Sequence, residues 1–457
     1  MPIASINPAN NRLIRTFDPL TEEATRQKIS LADEAFHACA TVPLEHRALW
    51  MRKLAAILEN ETDELAATIT VEMGKPIHAA RQEVLKCATA CRYYADNAAR
   101  ILAPESIPTG DRHSYVRYDP LGVILAVMPW NFPFWQVFRF LAPALMAGNT
   151  GLLKHASNVP QCALTIESLV RRAGFPRGTF QTLLIEARHV EHVLGDPRIA
   201  AVTLTGSEPA GRAVAAQAGW LIKKSVLELG GSDPFIVLPS ADLDLSVETA
   251  VRARLVNTGQ SCIAANRIYV QSGIYDRFVS AFVARVKAMK VGNGLDAGVE
   301  IGPLVNESGL RGALAQIEDA VRRGGKVLCG GKRIDGKGFF LEPTVIANLH
   351  VESACMHEET FAPIAPLVRF ENEADAIAQA NASVYGLSAY AFTRDLDRTF
   401  RLMENLEAGT IGINDGVPTT SVAPFGGVKQ SGWGRELGIE GLEEFLETKH
   451  VSIAMGS

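Results

Sequence analysis

Residues 122–148 read GVILAVMPWNFPFWQVFRFLAPALMAG, and the fold turns on what this stretch does. It is apolar and long enough to imitate a membrane span. Pro129, Pro133 and Pro143 interrupt it, however, and Asn131 and Arg139 sit inside it. A buried strand (122–128), a turn at PWNFP and a buried helix opened by Pro133 account for the pattern better than a span. Further apolar runs follow at TGLLK (150–154), FQTLLI (180–185), AAVTLT (200–205) and KSVLEL (224–229), with helical stretches between them. Strands hydrophobic along their whole length are buried on both faces, which implies a parallel sheet covered by helices in right-handed βαβ units. The fold class expected is therefore α/β, with a doubly wound, nucleotide-binding type of domain. Ligands in such a domain lie beyond the carboxyl ends of the strands.

Upstream, the chain reads as helix: one capped by Thr21 and running to about Ala40, a second over 46–58 with Leu49, Leu54, Ile57 and Leu58 near one face, a third ending at Met73 before Gly74, and a fourth carrying Cys87 and Cys91. Downstream of Gly231 a second α/β series is expected, with strands at PFIVL, RIYVQ, KVLCG and 388–392 and helices over 275–290 and 375–381. HSYVRYD (113–119) and KHVSIAM (449–455) read as further strands. The two lobes then face each other across a cleft.

Composition narrows the function. The chain has 457 residues, 47% hydrophobic and 21% charged, and 45 Lys plus Arg against 50 Asp plus Glu give a net charge of −5. Bulk charge thus gives a nucleic-acid partner no support, and no segment calls for a membrane. The seven cysteines form no C-x-x-C pair, and no secretory pattern opens the sequence, so a reducing, cytoplasmic setting is expected. His189 and His192 stand three apart without a third ligand nearby, and no metal is expected.

Three residues carry candidate chemistry. Cys262 lies in NTGQSCIAANR, after a helix ending near Asn257; Glu228 ends a buried strand before two glycines; Asn131 follows a strand in MPWNFP. Taken singly, each has a bland reading as a small buried thiol, a solvent-facing carboxylate or a turn residue. Together they supply a soft nucleophile, a base and an amide donor.

MPWNFP, LTGS, LELGGSDP, NTGQSC, EETFAP and PFGGVKQSGWGRELG occur in an order and spacing that resemble the aldehyde dehydrogenase superfamily along essentially the whole chain. The resemblance implies an NAD(P)-dependent enzyme in which Cys262 attacks an aldehyde, Asn131 and the Cys262 backbone N–H hold the oxyanion, and Glu228 activates water for thioester hydrolysis. It implies a dinucleotide-binding domain over 1–105 and 121–229, a catalytic domain over 230–436, and oligomerisation arms over 106–120 and 437–457, hence a homodimer or homotetramer. For the cofactor it implies Gly206 and Ser207 at the pyrophosphate, Glu359 and Phe361 at the nicotinamide ribose and ring, and Trp130 and Lys154 on the adenosine side. No G-x-G-x-x-G is present, as in the family.

One departure bears on the cofactor. The family commonly has Lys-Pro-(Ser/Ala)-Glu where this chain has Lys154-His155-Ala156-Ser157. Ser157 removes a carboxylate that would repel a 2′-phosphate, so NADP is expected, with NAD as alternative or second cofactor. For the substrate, Trp135 and Arg139 share a helix face beside Asn131, and Arg139 is an isolated charge that asks for a partner. The alternatives are an internal salt bridge and a clamp for a substrate carboxylate. The position resembles the arginine of succinate-semialdehyde dehydrogenases, with Thr419 and Ser261 completing an anion site. Val256 stands where some members carry a second arginine, and Ala264 where some carry a second cysteine. Oxidation of succinate semialdehyde to succinate is the expected activity. A CoA-acylating semialdehyde dehydrogenase, another short aldehyde as substrate and a non-catalytic ligand-binding protein are the alternatives.

Overall fold

The computed structural model describes residues 3–39, 41–109, 112–416 and 419–454. The apolar runs form a six-stranded sheet in the order Gly432–Trp433, Lys224–Glu228, Ile199–Thr205, Val123–Met128, Thr150–His155, Phe180–Thr182. All are parallel except Gly432–Trp433, which closes the edge antiparallel to Lys224–Glu228. The chain builds outward from Val123–Met128 through the next two strands, then returns to its other side at Ile199–Thr205. That reversal is the topological switch where open α/β sheets bind ligands. The run at 180–185 is strand only to Thr182. Leu183 N still reaches Leu153 O at 2.7 Å, but Leu184 O turns to accept from Leu20 N at 2.8 Å.

The membrane-like stretch lies at the centre of the largest core. All thirteen residues of the helix Trp135–Ala147 are buried, including Pro143. Its N-terminus is held by Glu83, whose Oε1 accepts from Phe134 N (2.9 Å) and Trp135 N (3.0 Å). Among the described residues no helix is long and apolar enough to cross a membrane.

Four helices, Glu22–Cys39, Leu44–Asn60, Thr62–Met73 and Ile77–Ile101, precede the sheet, and the last three pack into the core that holds Trp135–Ala147. Ala24 N does bond Thr21 Oγ1 (3.1 Å); Ala40 lies outside the described residues. In the second helix Leu54 and Leu58 are buried and Ile57 packs on the core as expected, and Leu49 alone departs from that face. Leu49 is 48% exposed, and Ala48, Met51 and Ala55 complete the buried face in its place. Alanines at 48 and 55 let this helix approach Cys87, Ala88 and Cys91 on its neighbour.

The second lobe is a seven-stranded sheet ordered Lys326–Cys329, Thr344–Ala347, Ile364–Phe370, Arg267–Gln271, Pro234–Val237, Ser388–Phe392, Thr410–Ile413, parallel except for its first strand. Its helices over 275–290 and 375–381 begin and end as Ser272–Lys287 and Glu373–Asn381. Three of its strands escape a reading of hydrophobic runs. Thr344–Ala347 and Thr410–Ile413 are four residues long, and Ile364–Phe370 contains Pro366, which removes a ladder donor. A third sheet joins Glu105–Pro108, Arg112–Pro120 and Leu446–Ala454, and Met455 falls outside the described residues. Ile3–Asn7 and Arg12–Phe17 add an N-terminal hairpin with no counterpart in the sequence reading.

Candidate active site

Met128, His155, Thr205 and Glu228 end adjacent parallel strands, so the segments that follow them crowd one edge of the sheet. The Cys262 loop from the second lobe meets them there. Its helix stops at Leu255, and Asn257 (φ 51°), Thr258 (φ 62°) and Gly259 (φ 75°) then run left-handed in succession. A β-branched residue in this region carries strain of about 1–3 kcal/mol, sustained only where neighbours fix it. The neighbours here are specific. Asn257 Nδ2 donates to Asn131 O (2.8 Å) and Gln260 O (3.1 Å), and Thr258 Oγ1 accepts from Gly302 N (3.0 Å). Two glycines allow the close approach. A Cβ on Gly259 would lie 2.2 Å from Ala362 O, and one on Gly231 would lie 2.2 Å from Cys262 O.

These contacts bring Asn131 to the cysteine. Asn131 Nδ2 donates to Gln260 O at 3.2 Å, which uses one of its two N–H bonds. The Cys262 backbone N–H has no partner among the described residues. Cys262 is itself only partly buried, whereas Cys39, Cys87, Cys91, Cys162 and Cys355 are sealed in packing. It lines a cavity of about 190 Å³ together with Ser261, Trp135, Arg139 and Thr419. Desolvation raises the thiol's pKa above its ordinary value; Arg139 opposes this, and Glu228 and Glu359 add to it.

Glu228 is not the solvent-facing carboxylate of its bland reading. It is buried, and neither oxygen has a hydrogen-bond partner among the described residues. Burial drives its pKa well above the carboxylate range, Arg139 pulls the other way, and Glu436 reinforces the rise. Arg139 is 2% exposed, with Nε 2.6 Å from Glu436 Oε2 and Nη1 4.0 Å from Glu228 Oε2. The internal ion pair, rather than a free clamp, is therefore what the geometry supplies at Arg139. Glu436 carries no isolating signal in the sequence, since its GRELG context is polar and glycine-rich.

The expected cofactor residues fall into two groups. Trp130, Glu359 and Phe361 line a second cavity of about 480 Å³, with the Trp130 and Phe361 rings edge to face at 5.7 Å. Glu359 accepts from Gly231 N at 3.2 Å, and burial pushes its pKa up to about 8. Lys154, Ser157, Gly206 and Ser207 line neither cavity and stand at the strand ends. Gly206 N bonds Glu228 O at 2.9 Å, and Ser207 precedes the helix Glu208–Trp220 without capping it through its side chain. Among the described residues Lys154 Nζ has neither an ion-pair nor a hydrogen-bond partner. His155 ties this strand to the Asn131 loop. Its Nε2 lies 2.9 Å from Pro133 O and its Nδ1 3.2 Å from Met128 O and 3.0 Å from Ala156 N, and burial lowers its pKa to about 4, so it stays neutral.

The sequence reading missed several groups around the site. Lys75, Glu83 and Lys86 project from one side of the helix Ile77–Ile101 and the turn before it, into the Cys262 cavity. Charges at 83 and 86 flanking apolar Val84, Cys87 and Ala88 were the available signal. Arg254 is wholly buried. It donates to Ile364 O (2.6 Å), Asn266 Oδ1 (2.5 Å), Thr360 O (2.8 Å) and Ala362 O, which fastens the Glu359–Phe361 loop to the Cys262 loop. Arg254→Met removes this donor from all four acceptors, of which Ala362 O keeps the Ile364 N–H (2.8 Å), and buried acceptors cost about 1–3 kcal/mol each when orphaned. A loss of at least about 3 kcal/mol in urea-unfolding stability is expected, together with a raised KM for the nicotinamide cofactor.

The aldehyde dehydrogenase family model matches residues 1–451. The chain is 51% identical to the succinate-semialdehyde dehydrogenase [NADP(+)] 1 of Mycobacterium tuberculosis over 99% of this chain and 100% of that protein. It is 49% identical, at the same coverage, to the succinate-semialdehyde dehydrogenase [NADP(+)] of Mycobacterium leprae. Among solved structures, the succinic semialdehyde dehydrogenase from Streptococcus pyogenes in complex with NADP+ superposes with a TM-score of 0.96 at 35% identity, over 98% of this chain and 99% of that one. Both lobes, the switch-point groove and the cysteine loop between them thus lie within the matched span, and the chain belongs to the aldehyde dehydrogenase family.

Proposed function

We propose that this protein oxidises succinate semialdehyde to succinate with NADP+. One observation carries the reading. A partly exposed cysteine lines a small cavity whose wall also holds Lys75, Lys86 and Arg139, while the Asn131 amide, with one N–H unused, is held to the cysteine loop and the buried Glu228 carboxylate lies 4.0 Å from Arg139. A positively charged wall around an electrophile-trapping thiol suits an aldehyde that carries an anion. The names of the most similar relatives support the same substrate and cofactor.

The steps follow from the site. The buried thiol starts protonated, and Glu228, once ionised, takes its proton. The Cys262 sulfur adds to the aldehyde carbon and forms a thiohemiacetal. The second N–H of Asn131 and the N–H of Cys262 receive the charge that develops on oxygen; losing one such donor typically costs about 2.7–4 kcal/mol of barrier. The oxidised nicotinamide, when bound, supplies the acceptor for the hydride that leaves this carbon. A thioester then remains on Cys262. Glu228, having passed the thiol's proton to solvent, takes a proton from water, hydroxide adds to the thioester carbon, and the thiolate departs to release the acid.

The residues present fit a dinucleotide. The groove edged by Trp130, Glu359 and Phe361 adjoins a helix start at Ser207 that no side chain caps, and Lys154 offers an unpaired cation. Ser157, half-buried after the same strand, puts a hydroxyl where a glutamate would repel a 2′-phosphate. Two like charges about 4 Å apart oppose each other by roughly 1–4 kcal/mol. Ser157→Glu is therefore expected to lower kcat/KM with NADP+ about 10- to 100-fold and to leave NAD+ use within a few-fold. A wild-type enzyme that strongly favours NAD+ would remove the NADP assignment.

The sheet formed by Glu105–Pro108, Arg112–Pro120 and Leu446–Ala454 is largely exposed, which supports its assignment as an oligomerisation arm of a homodimer or homotetramer. Cysteines that are all unpaired accord with a cytoplasmic setting. The activity is tested by supplying succinate semialdehyde and butanal with each nicotinamide cofactor, with and without CoA, and analysing products. Free succinate formed without CoA is expected. Acyl-CoA as the main product would replace the hydrolytic reading.

A further inference from the structure

We infer that His155 is a positioning residue for the oxyanion amide: it holds both ends of the loop that carries Asn131 and so sets where that amide stands relative to Cys262. The inference rests on the reading of Asn131 as an oxyanion donor and adds a residue that lies outside the substrate cavity.

The loop runs from Met128, the last residue of its strand, to Trp135, the first of its helix. Of the residues between them, Pro129 and Pro133 have no backbone N–H. Among the described residues the backbone N–H groups of Trp130, Asn131 and Phe132 make no hydrogen bond. The loop thus has little of its own to fix its shape, and side chains from other elements do so. Asn257 Nδ2 donates to Asn131 O, and Glu83 Oε1 accepts from Phe134 N and Trp135 N. The first acts at the middle of the loop and the second at the helix start.

His155 joins the two ends. It lies opposite Met128 in the parallel register, at the end of the neighbouring strand, and is 5% exposed. Its Nδ1 is 3.2 Å from Met128 O, where the loop begins, and its Nε2 is 2.9 Å from Pro133 O, where the loop ends. One rigid ring therefore bridges entry and exit, and Pro129 to Phe132 form an arch between the bridged points with Asn131 on it. Ala156 N, 3.0 Å from Nδ1, fixes the ring itself. The ring lines neither the Cys262 cavity nor the groove edged by Trp130 and Phe361, so it acts only through the loop. Burial keeps it neutral, and its contribution is geometric rather than electrostatic.

An oxyanion donor works at about 2.7–3.1 Å from the developing charge, and a misplacement of about 1 Å in a site can cost about 10²-fold. Asn131 Nδ2 uses one N–H on Gln260 O, so the backbone of the arch aims the second. Without the bridge between residues 128 and 133 the arch relaxes and the amide moves with it. The nucleophile sits on a different segment, whose Thr258 is bonded to Gly302, and keeps its place.

The test is a double-mutant cycle in the full-length enzyme. His155→Leu keeps most of the bulk of the ring and removes both nitrogens. Its kcat/KM is expected to fall about 10- to 100-fold, by the same factor for succinate semialdehyde and for butanal. Alkylation of Cys262 by iodoacetamide, which displaces iodide and builds no oxyanion, is expected to stay within about threefold of wild type. His155→Gln, which brings back an N–H and a C=O, is expected to recover most of the rate. In an Asn131→Ala background, itself slowed about 10²- to 10³-fold, adding His155→Leu is expected to cost less than about threefold, because the amide it positions is gone. His155→Ala enters the same cycle should the leucine variant fold poorly. Additive losses in the cycle, a folded His155 variant within threefold of wild type, or an equal loss of alkylation rate overturns this inference alone. An Asn131→Ala enzyme within threefold of wild type overturns the oxyanion reading and the inference with it.

Discussion

Replacing Cys262 by alanine is expected to lower kcat by at least about 10⁴-fold while leaving the fold and cofactor affinity intact. Removing a nucleophile abolishes the covalent route, and what survives in such variants comes from oxyanion stabilisation and binding alone. Stability should change little. The thiol is partly exposed, and the loop is held by Asn257, Thr258 and Gly259 rather than by sulfur. Cys262→Ser is expected to be nearly as inactive. A serine hydroxyl is far harder to ionise than a thiol, and desolvation already works against the charged form at this position. Rates of nicotinamide reduction, thermal melting and cofactor titration on the same preparations check all three statements. A variant within tenfold of wild type, still binding cofactor, would exclude Cys262 as the nucleophile.

The doubly wound lobe was legible because its strands are buried on both faces, so apolar run and strand coincide at Val123–Met128, Thr150–His155 and Ile199–Thr205. The other lobe was half legible. Ile364–Phe370 is a central strand with a proline in it, against the usual placement, and it is made by parallel neighbours on both sides that no local pattern announces. The candidate site divides in the same way. Cys262, Glu228 and Asn131 were nameable from local motifs at strand and helix ends. The state of Arg139 was not, because Glu436 reaches it from the far end of the chain. Lys86 stayed hidden for a different reason: on a helix with many exposed polar residues, a lysine reads as solvated surface until tertiary packing lays Trp135 over it.

Glu228→Gln is expected to separate the two halves of the reaction. The amide keeps the shape of the side chain and removes the base, so hydride transfer proceeds once and the thioester then persists. Rapid mixing should show a burst approaching one reduced nicotinamide per active site, followed by turnover about 10²- to 10⁴-fold slower than wild type, the range general-base catalysis contributes. The pH dependence gives an independent sign. Burial and Glu436 hold the Glu228 proton above the ordinary carboxylate range, so the wild-type deacylation rate should climb with pH as that proton is lost. The folded pKa is raised above the unfolded one, so the unfolded chain releases this proton first as pH rises. Ionising Glu228 in the native state therefore costs stability over the same interval in which it gains catalysis. The glutamine variant should lose both trends: its residual rate should be flat where wild type climbs, and its stability should fall less at the alkaline side. A full-rate variant would show that water is activated elsewhere. A variant with no burst would show that Glu228 is also indispensable for drawing the proton from Cys262. The burst with slow release is the favoured outcome, because Arg139 remains to help ionise the sulfur and the charge of Glu228, which opposes that ionisation, is gone.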